Sequence, residues 1–229
     1  MKKVLKKIRA QNPHIYRLLI NTLSVITRFI NFKKRIYGNN NKLLMTGAIV
    51  RKTSCYIKGN NNTIHFSPEC YLKNCTIYIL GNNHTLKLGE RSKLYHTELW
   101  FEDRDNTIQI GMHTSINGAH IAITEHNHTI EIGDNCLFSK EIDIRNGDSH
   151  SIIDLKTNKR INFAGNIKIG NHVWLGKYVK ILKGTVIGDN SIIGINSLVN
   201  SKINKNSLGV GIPAKVVKTD INWKHQRIY

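Results

Sequence analysis

The residues best suited to chemistry in this chain are Asp148, Ser149 and His150, inside the stretch DIRNGDSHSIIDLKTNKRIN (143–162). A histidine titrates near neutrality, so its imidazole can take a proton from a hydroxyl nucleophile and return it to a departing group. Asp148 either orients that imidazole by a hydrogen bond or caps a turn. Read without context, His150 is either this base or a solvated loop residue. A second cluster, His126-Asn127-His128, invites a metal reading. Its histidines fall in a column that elsewhere holds asparagine, so they are read as structural and no metal is expected. Cys55, Cys70, Cys75 and Cys136 lack the C-x-x-C spacing of a zinc or redox site. They do not read as a disulfide framework either, which points to a reducing cytoplasm.

What must position these residues is a repeat. NNTIHFS (61–67), NHTLKLG (83–89), DNTIQIG (105–111) and NHTIEIG (127–133) align without a gap at a period of 22, after a weaker copy, GNNNKLL (38–44). Alternating apolar positions such as Ile64/Phe66 and Leu86/Leu88 are strand periodicity. Further apolar sets, Leu72/Leu94/Ile116/Phe138 and Ile77/Ile79 with their equivalents, predict three short strands per unit. One such unit is one coil of a parallel β-helix, which can bury its apolar face only against neighbouring coils. The column Asn62/His84/Asn106/His128 then falls on a turn, where asparagine tolerates left-handed backbone. From 169 to 198 the period shortens to five consecutive hexapeptides, IGNHVW, LGKYVK, ILKGTV, IGDNSI and IGINSL. Their first and fifth residues are predicted to point inward, the signature of a left-handed parallel β-helix. Residues 143–162 interrupt both registers, and the alternation slips by one residue at Ile142 and Ile144. Trp174, sixth in its hexapeptide, is expected at a corner, where an indole is exposed unless it lines a cleft or a subunit interface.

Charge divides the chain unevenly. The formal net charge is +19, yet no Asp or Glu precedes Glu69 while residues 1–68 hold 14 Lys and Arg. Such an arm suits an anionic partner. Residues 1–37 read as basic amphipathic helices broken at Pro13, with Leu18, Leu19, Leu23, Ile26 and Ile30 as an apolar stripe. The stripe can cap the open end of the β-helix, or lie on an anionic membrane surface as a peripheral contact. The 14–32 stretch is interrupted by polar residues and falls short of a membrane span; no signal peptide is visible. The expected organisation is an arm (1–37), a β-helix domain (38–206) with an inserted loop at 151–166, and a C-terminal segment (207–229).

IKIGNHVWLGKYVKILKGTVIGDNSIIGINSLVNSKI and GVGIPAKVVK, within 167–218, resemble the hexapeptide-repeat acetyltransferases that include the maltose and galactoside O-acetyltransferases. The longer run through IRNGDSH, NKRIN and INWKHQRIY is more similar still to bacterial capsule O-acetyltransferases acting on polysialic acid. The resemblance is good over about 105–229 and covers the earlier coils only in style. It implies a homotrimer with sites in clefts between subunits, and acetyl-CoA lying along the prism. It makes His150 the catalytic base and the following loop an enclosure, puts the aromatic Trp174 at the site, and assigns the backbone N–H of Lys177 to the oxyanion. For the cofactor it implies Gly194, Gly211, Lys202, Lys215 and Lys218. Ser201 occupies the usual lysine place, so Lys202 comes one residue late.

The expected function is acetyl transfer from acetyl-CoA to a hydroxyl of a surface glycan, capsule or lipopolysaccharide, with a sialic acid polymer as one such acceptor. The protein is expected in the cytoplasm or at the inner face of its membrane. The alternatives are N-acetyl transfer to an amino-sugar, or a noncatalytic β-helix binding anionic glycan. Nucleic acid is not expected, because the basic arm carries no recognition motif and the aromatics no stacking pattern.

Overall fold

The computed structural model describes residues 2–229, with side chains from Lys7 onward; Met1, the first residue of the expected arm, lies outside the described residues. Two helices, α1 (Lys2–Gln11) and α2 (Pro13–Asn31), precede a continuous solenoid. Asn12 caps α2 by accepting from the Ile15 amide, and Pro13 fits the first turn, where no amide is needed.

The solenoid has three faces, of eight, eight and nine strands, with the sequence visiting the first, second and third face in turn. Within these faces the strands pair in parallel except the last, Ala214–Lys218, which folds back on Leu208–Gly211. This is the left-handed parallel β-helix that the hexapeptides predict. The first and fifth hexapeptide residues are all buried: Ile169, Leu175, Ile181, Ile187 and Ile193, with Val173, Val179, Thr185, Ser191 and Ser197. Inside, side chains stack in files such as Ile64, Leu86, Ile108, Ile130 and Ile167. At about 1.5–3 kcal/mol for each fully buried aliphatic side chain, these files supply the main driving force for coil stacking. The four cysteines are free core residues. Burial pushes the Cys55 thiol up to about 12 and those of Cys70, Cys75 and Cys136 up to about 11. They therefore pack as small hydrophobes rather than react.

The first corner, between first and second faces, corrects one sequence expectation. One position before the expected column, Asn61, Asn83, Asp105 and Asn127 are left-handed, and the column itself is not. Asn62, His84 and Asn106 instead turn inward, are fully buried, and bond along the stack. The Asn62 Oδ1 accepts from the His84 amide, His84 Nδ1 from the Asn106 amide, and Asn106 Oδ1 from the His128 amide. The slip at Ile142 also has a physical cause. One extra residue enters the corner before it, where Glu141 is left-handed, so His120 pairs with Asp143 at a separation of 23 instead of 22. The inward phase survives: Ile142 and Ile144 are buried.

The expected domain limits shift at both ends. Residues Phe32–Tyr37, placed in the arm by the sequence, form the first solenoid strand and pair with Thr53–Lys58. Leu208–Gly211, placed in the C-terminal segment, is the last parallel strand. The expected cap is inverted. α2 buries Ile20, Ser24 and Thr27, whereas Leu18, Leu19, Ile26 and Ile30 face outward and Leu23 is half-buried. The small Ser24 and Thr27 let the helix approach closely, and the Ser24 hydroxyl donates to the Met45 carbonyl.

Glu69, the first carboxylate in the chain, anchors the helices. It accepts from Arg9 (3.4 Å), the Tyr16 hydroxyl (2.8 Å) and Arg91 (3.3 Å). Burial, assisted by that carboxylate, pushes the Tyr16 phenol up to about 12. Glu69→Ala is expected to remove about 1 kcal/mol from the local cost of releasing the arm, after discounting for solvent. Trypsin cleavage after Arg17 should then run roughly fivefold faster, with the solenoid melting temperature little changed. Unchanged cleavage would show that the arm is held without Glu69.

Candidate active site

His150 sits at the first corner, where residues 147–165 replace the short turn of other coils. Asn146 docks the start of this excursion by accepting from the Thr124 amide (2.7 Å) and donating to the Thr124 carbonyl (3.1 Å). Gly147 then passes so near the preceding coil that a Cβ would lie 2.5 Å from Thr124 Oγ1. Beyond His150 the loop forms a small hairpin, Ile153–Asp154 with Lys159–Arg160, and folds back over the two preceding coils. Between hairpin and coils lies an open cleft of about 540 Å³, walled by Glu102, Asp103, Glu125, His126, His128 and His150 among others.

Asn162, almost fully buried, holds the loop. Its amide donates to the His150 carbonyl (2.7 Å) and to Asp148 Oδ2 (2.8 Å), while its oxygen accepts from the Ile152 amide (2.7 Å) and Arg160 Nε (3.2 Å). That is the full capacity of an asparagine side chain. Among the described residues Asp148 makes no hydrogen bond to the imidazole or to a turn amide. Its carboxylate joins Lys183 Nζ (2.6 Å) to Asn162, and these two bonds hold it below the usual carboxylate range. Burial pushes the Glu125 carboxyl up, but bonding to Arg160 outweighs it and leaves that group also below its ordinary value. The His150 side chain itself is exposed.

Among the described residues, three buried side-chain polar atoms have no hydrogen-bond partner, and two of them, His128 Nδ1 and Thr124 Oγ1, belong to residues lining this cleft. Such atoms are costly unless something bonds to them. His126 and His128, read from sequence as structural, are thus also cleft residues, and His128 combines both roles. No group of three or more metal-binding side chains occurs among the described residues.

The other expected site residues lie elsewhere on the prism. Trp174 is not at a corner but is the outward residue of Trp174–Leu175, in the middle of the third face, 39% exposed. It extends an outward file with Leu137, Ile192 and Leu208. Its ring lies 6.0 Å from that of Trp223, which stacks on His172 at 4.2 Å and donates to the His172 carbonyl. Lys177 lies at the third corner, between third and first faces, its ammonium over the Tyr178 ring. Its amide makes no hydrogen bond among the described residues, and neither do those of Lys140 and Ile195 at the same place in neighbouring coils. A free amide here is a property of the corner.

Gly194 has a packing reason: a Cβ would meet Val210 Cγ1 at 2.7 Å. Gly211 has a positive φ of 101°. Lys202 is on the second face, beside Val186, whereas Lys215 and Lys218 are on the returning strand at the end of the third. Within one chain His150, Trp174 and the three lysines do not converge. His150 is at the first corner, Trp174 on the third face, Lys202 on the second face, and Lys215 and Lys218 on the returning strand.

A model of the bacterial transferase hexapeptide (six repeats) matches residues 166–201. The polysialic acid O-acetyltransferase of Escherichia coli O1:K1 / APEC is 40% identical over 89 residues, 39% of this chain; the match spans only 29% of that relative's length. The solved structure of the polySia specific acetyltransferase NeuO superposes with a TM-score of 0.80 at 27% identity, covering 86% of this chain and 90% of that one. That of the polysialic acid O-acetyltransferase OatWY gives 0.75 at 31% identity, covering 86% and 92%. With a hexapeptide solenoid and an alignment spanning nearly the whole of a relative above 30% identity, the chain belongs to the hexapeptide-repeat acetyltransferases.

Proposed function

We propose that this protein is an acetyl-CoA-dependent O-acetyltransferase that modifies a hydroxyl of a surface glycan on the cytoplasmic side, working as a homotrimer. The observation that carries the reading is the cleft at the interrupted corner, which an exposed His150 lines together with His126, His128 and Thr124, and where Asn162 pins the His150 main chain. In the proposed step the His150 imidazole takes the proton of the acceptor hydroxyl as its oxygen attacks the thioester carbonyl carbon. The resulting oxyanion takes a hydrogen bond from the Lys177 amide. The C–S bond then breaks, and the imidazolium returns its proton to the thiolate, leaving an acetyl ester and free CoA. Holding both substrates together removes the need for an acyl-enzyme. Trp174 supplies apolar packing, and Gly194, Lys202, Lys215 and Lys218 are assigned to the cofactor, contributed around the cleft by different subunits.

The relatives named above act on polysialic acid by their names, which supports an acidic sugar polymer as acceptor. The cleft itself is not basic. It is walled by Glu102, Asp103, Glu125 and Asp148, the last two paired with Arg160 and Lys183. Cations free to meet an anionic polymer are the exposed Lys156 and Lys159 of the hairpin; Arg160 is already engaged. Release of CoA thiol is expected when acetyl-CoA is mixed with polysialic acid, with the ester found on sugar oxygen by mass spectrometry. Acetyl found on an amino-sugar nitrogen would establish the N-transfer alternative. Glycan binding with no thiol release across a panel of acceptors would make the protein a binder.

A further inference from the structure

The outward side of α2 exposes a row of large apolar side chains. Ile15, Leu18, Leu19, Val25, Ile26, Phe29 and Ile30 are all exposed, from 42% for Leu19 to 83% for Phe29. At about 100° per residue they fall on one arc of the helix with Thr22, opposite the packed Ile20, Ser24 and Thr27. The helix thus packs through Ile20 and the small Ser24 and Thr27 and turns seven large apolar residues outward, the reverse of an ordinary surface helix. A continuous apolar patch of this kind marks an interaction site.

The charge around it selects the partner. Residues 1–37 carry ten Lys and Arg and no Asp or Glu. Lys33, Lys34 and Arg35 follow directly on the end of α2 and are exposed. A second copy docking here would set two such clusters against each other, whereas an anionic surface would neutralise them. No described helix is long and apolar enough to cross a membrane, so the geometry suits lying in an interface, not spanning it.

We propose that α2 and the adjoining Lys33–Arg35 form a docking surface for anionic lipid, with the apolar arc entering the acyl boundary and the cations meeting headgroup phosphates. The full chain is expected to sediment with vesicles of equal parts phosphatidylglycerol and phosphatidylcholine. Binding to phosphatidylcholine alone should be at least about tenfold weaker, and high salt should reduce the difference. The triple variant Leu18→Ser, Phe29→Ser, Ile30→Ser leaves the packed face of α2 untouched and should lose vesicle binding at least about tenfold. Lys33→Glu with Lys34→Glu should weaken binding to the mixed vesicles but not to phosphatidylcholine. The proposal is overturned if the unmodified chain ignores mixed vesicles, if the triple variant binds as well as it, or if the charge variant loses nothing. A triple variant that falls apart to smaller species in sedimentation would make the face a contact between copies.

Discussion

His150→Ala is expected to lower acetyl transfer about 10²–10⁴-fold, the usual loss when a positioned general base is removed. Folding should be unaffected. The side chain is exposed, and the bond from Asn162 goes to the main-chain carbonyl, which alanine retains. Acetyl-CoA affinity should stay near that of the unmodified protein, because the residues proposed for the cofactor lie on other faces. The measurements are thiol release for turnover, acetyl-CoA titration for affinity and sedimentation for assembly. A variant that assembles normally and keeps most of its activity would remove His150 from the mechanism. His128, which lines the same cleft, would then become the base to test.

The solenoid was legible in the sequence because its rule is local: each coil repeats the same inward positions, so a strand phase read in one unit holds in the next. The hexapeptide residues Ile169 through Ser197 were read correctly for that reason. The arm was legible as an amphipathic helix but not in its orientation. Periodicity reports that an apolar stripe exists, and only packing decides whether the stripe or the small side made by Ser24 and Thr27 meets the solenoid. His150 was singled out as a candidate through the break in the repeat and through family resemblance. Its surroundings were not. Asn162 sits twelve residues further on in a polar loop, and nothing in NKRIN marks that asparagine as the one holding the His150 carbonyl. Glu125, His126 and Thr124 enter the cleft only because the loop folds back over earlier coils, a contact no strand phase encodes. Trp174 shows the opposite error: the hexapeptide count put it at a corner, whereas the ladder to Leu137 and Ile192 makes it an outward strand residue.

Mixing two impaired variants is expected to restore activity, and this follows from where the prism puts its residues. His150 is at the first corner and Trp174 in the middle of the third face, so the proposed site takes one from each of two subunits. Trp174→Ala should depress both acceptor or cofactor binding and rate, because an indole packs over a large apolar area. In a mixture of the His150→Ala and Trp174→Ala chains, dissociated and reassembled in equal amounts, each site draws its histidine from one chain and its tryptophan from the neighbour. Random assembly of a cyclic trimer then leaves roughly one site in four with both side chains intact, and activity should recover to about that fraction. If each site were built within one chain, every site in the mixture would lack one of the two residues and activity would stay at the level of the single variants. That second result, obtained with trimers shown to have exchanged, would remove the shared-site geometry while leaving the role of His150 to be judged separately.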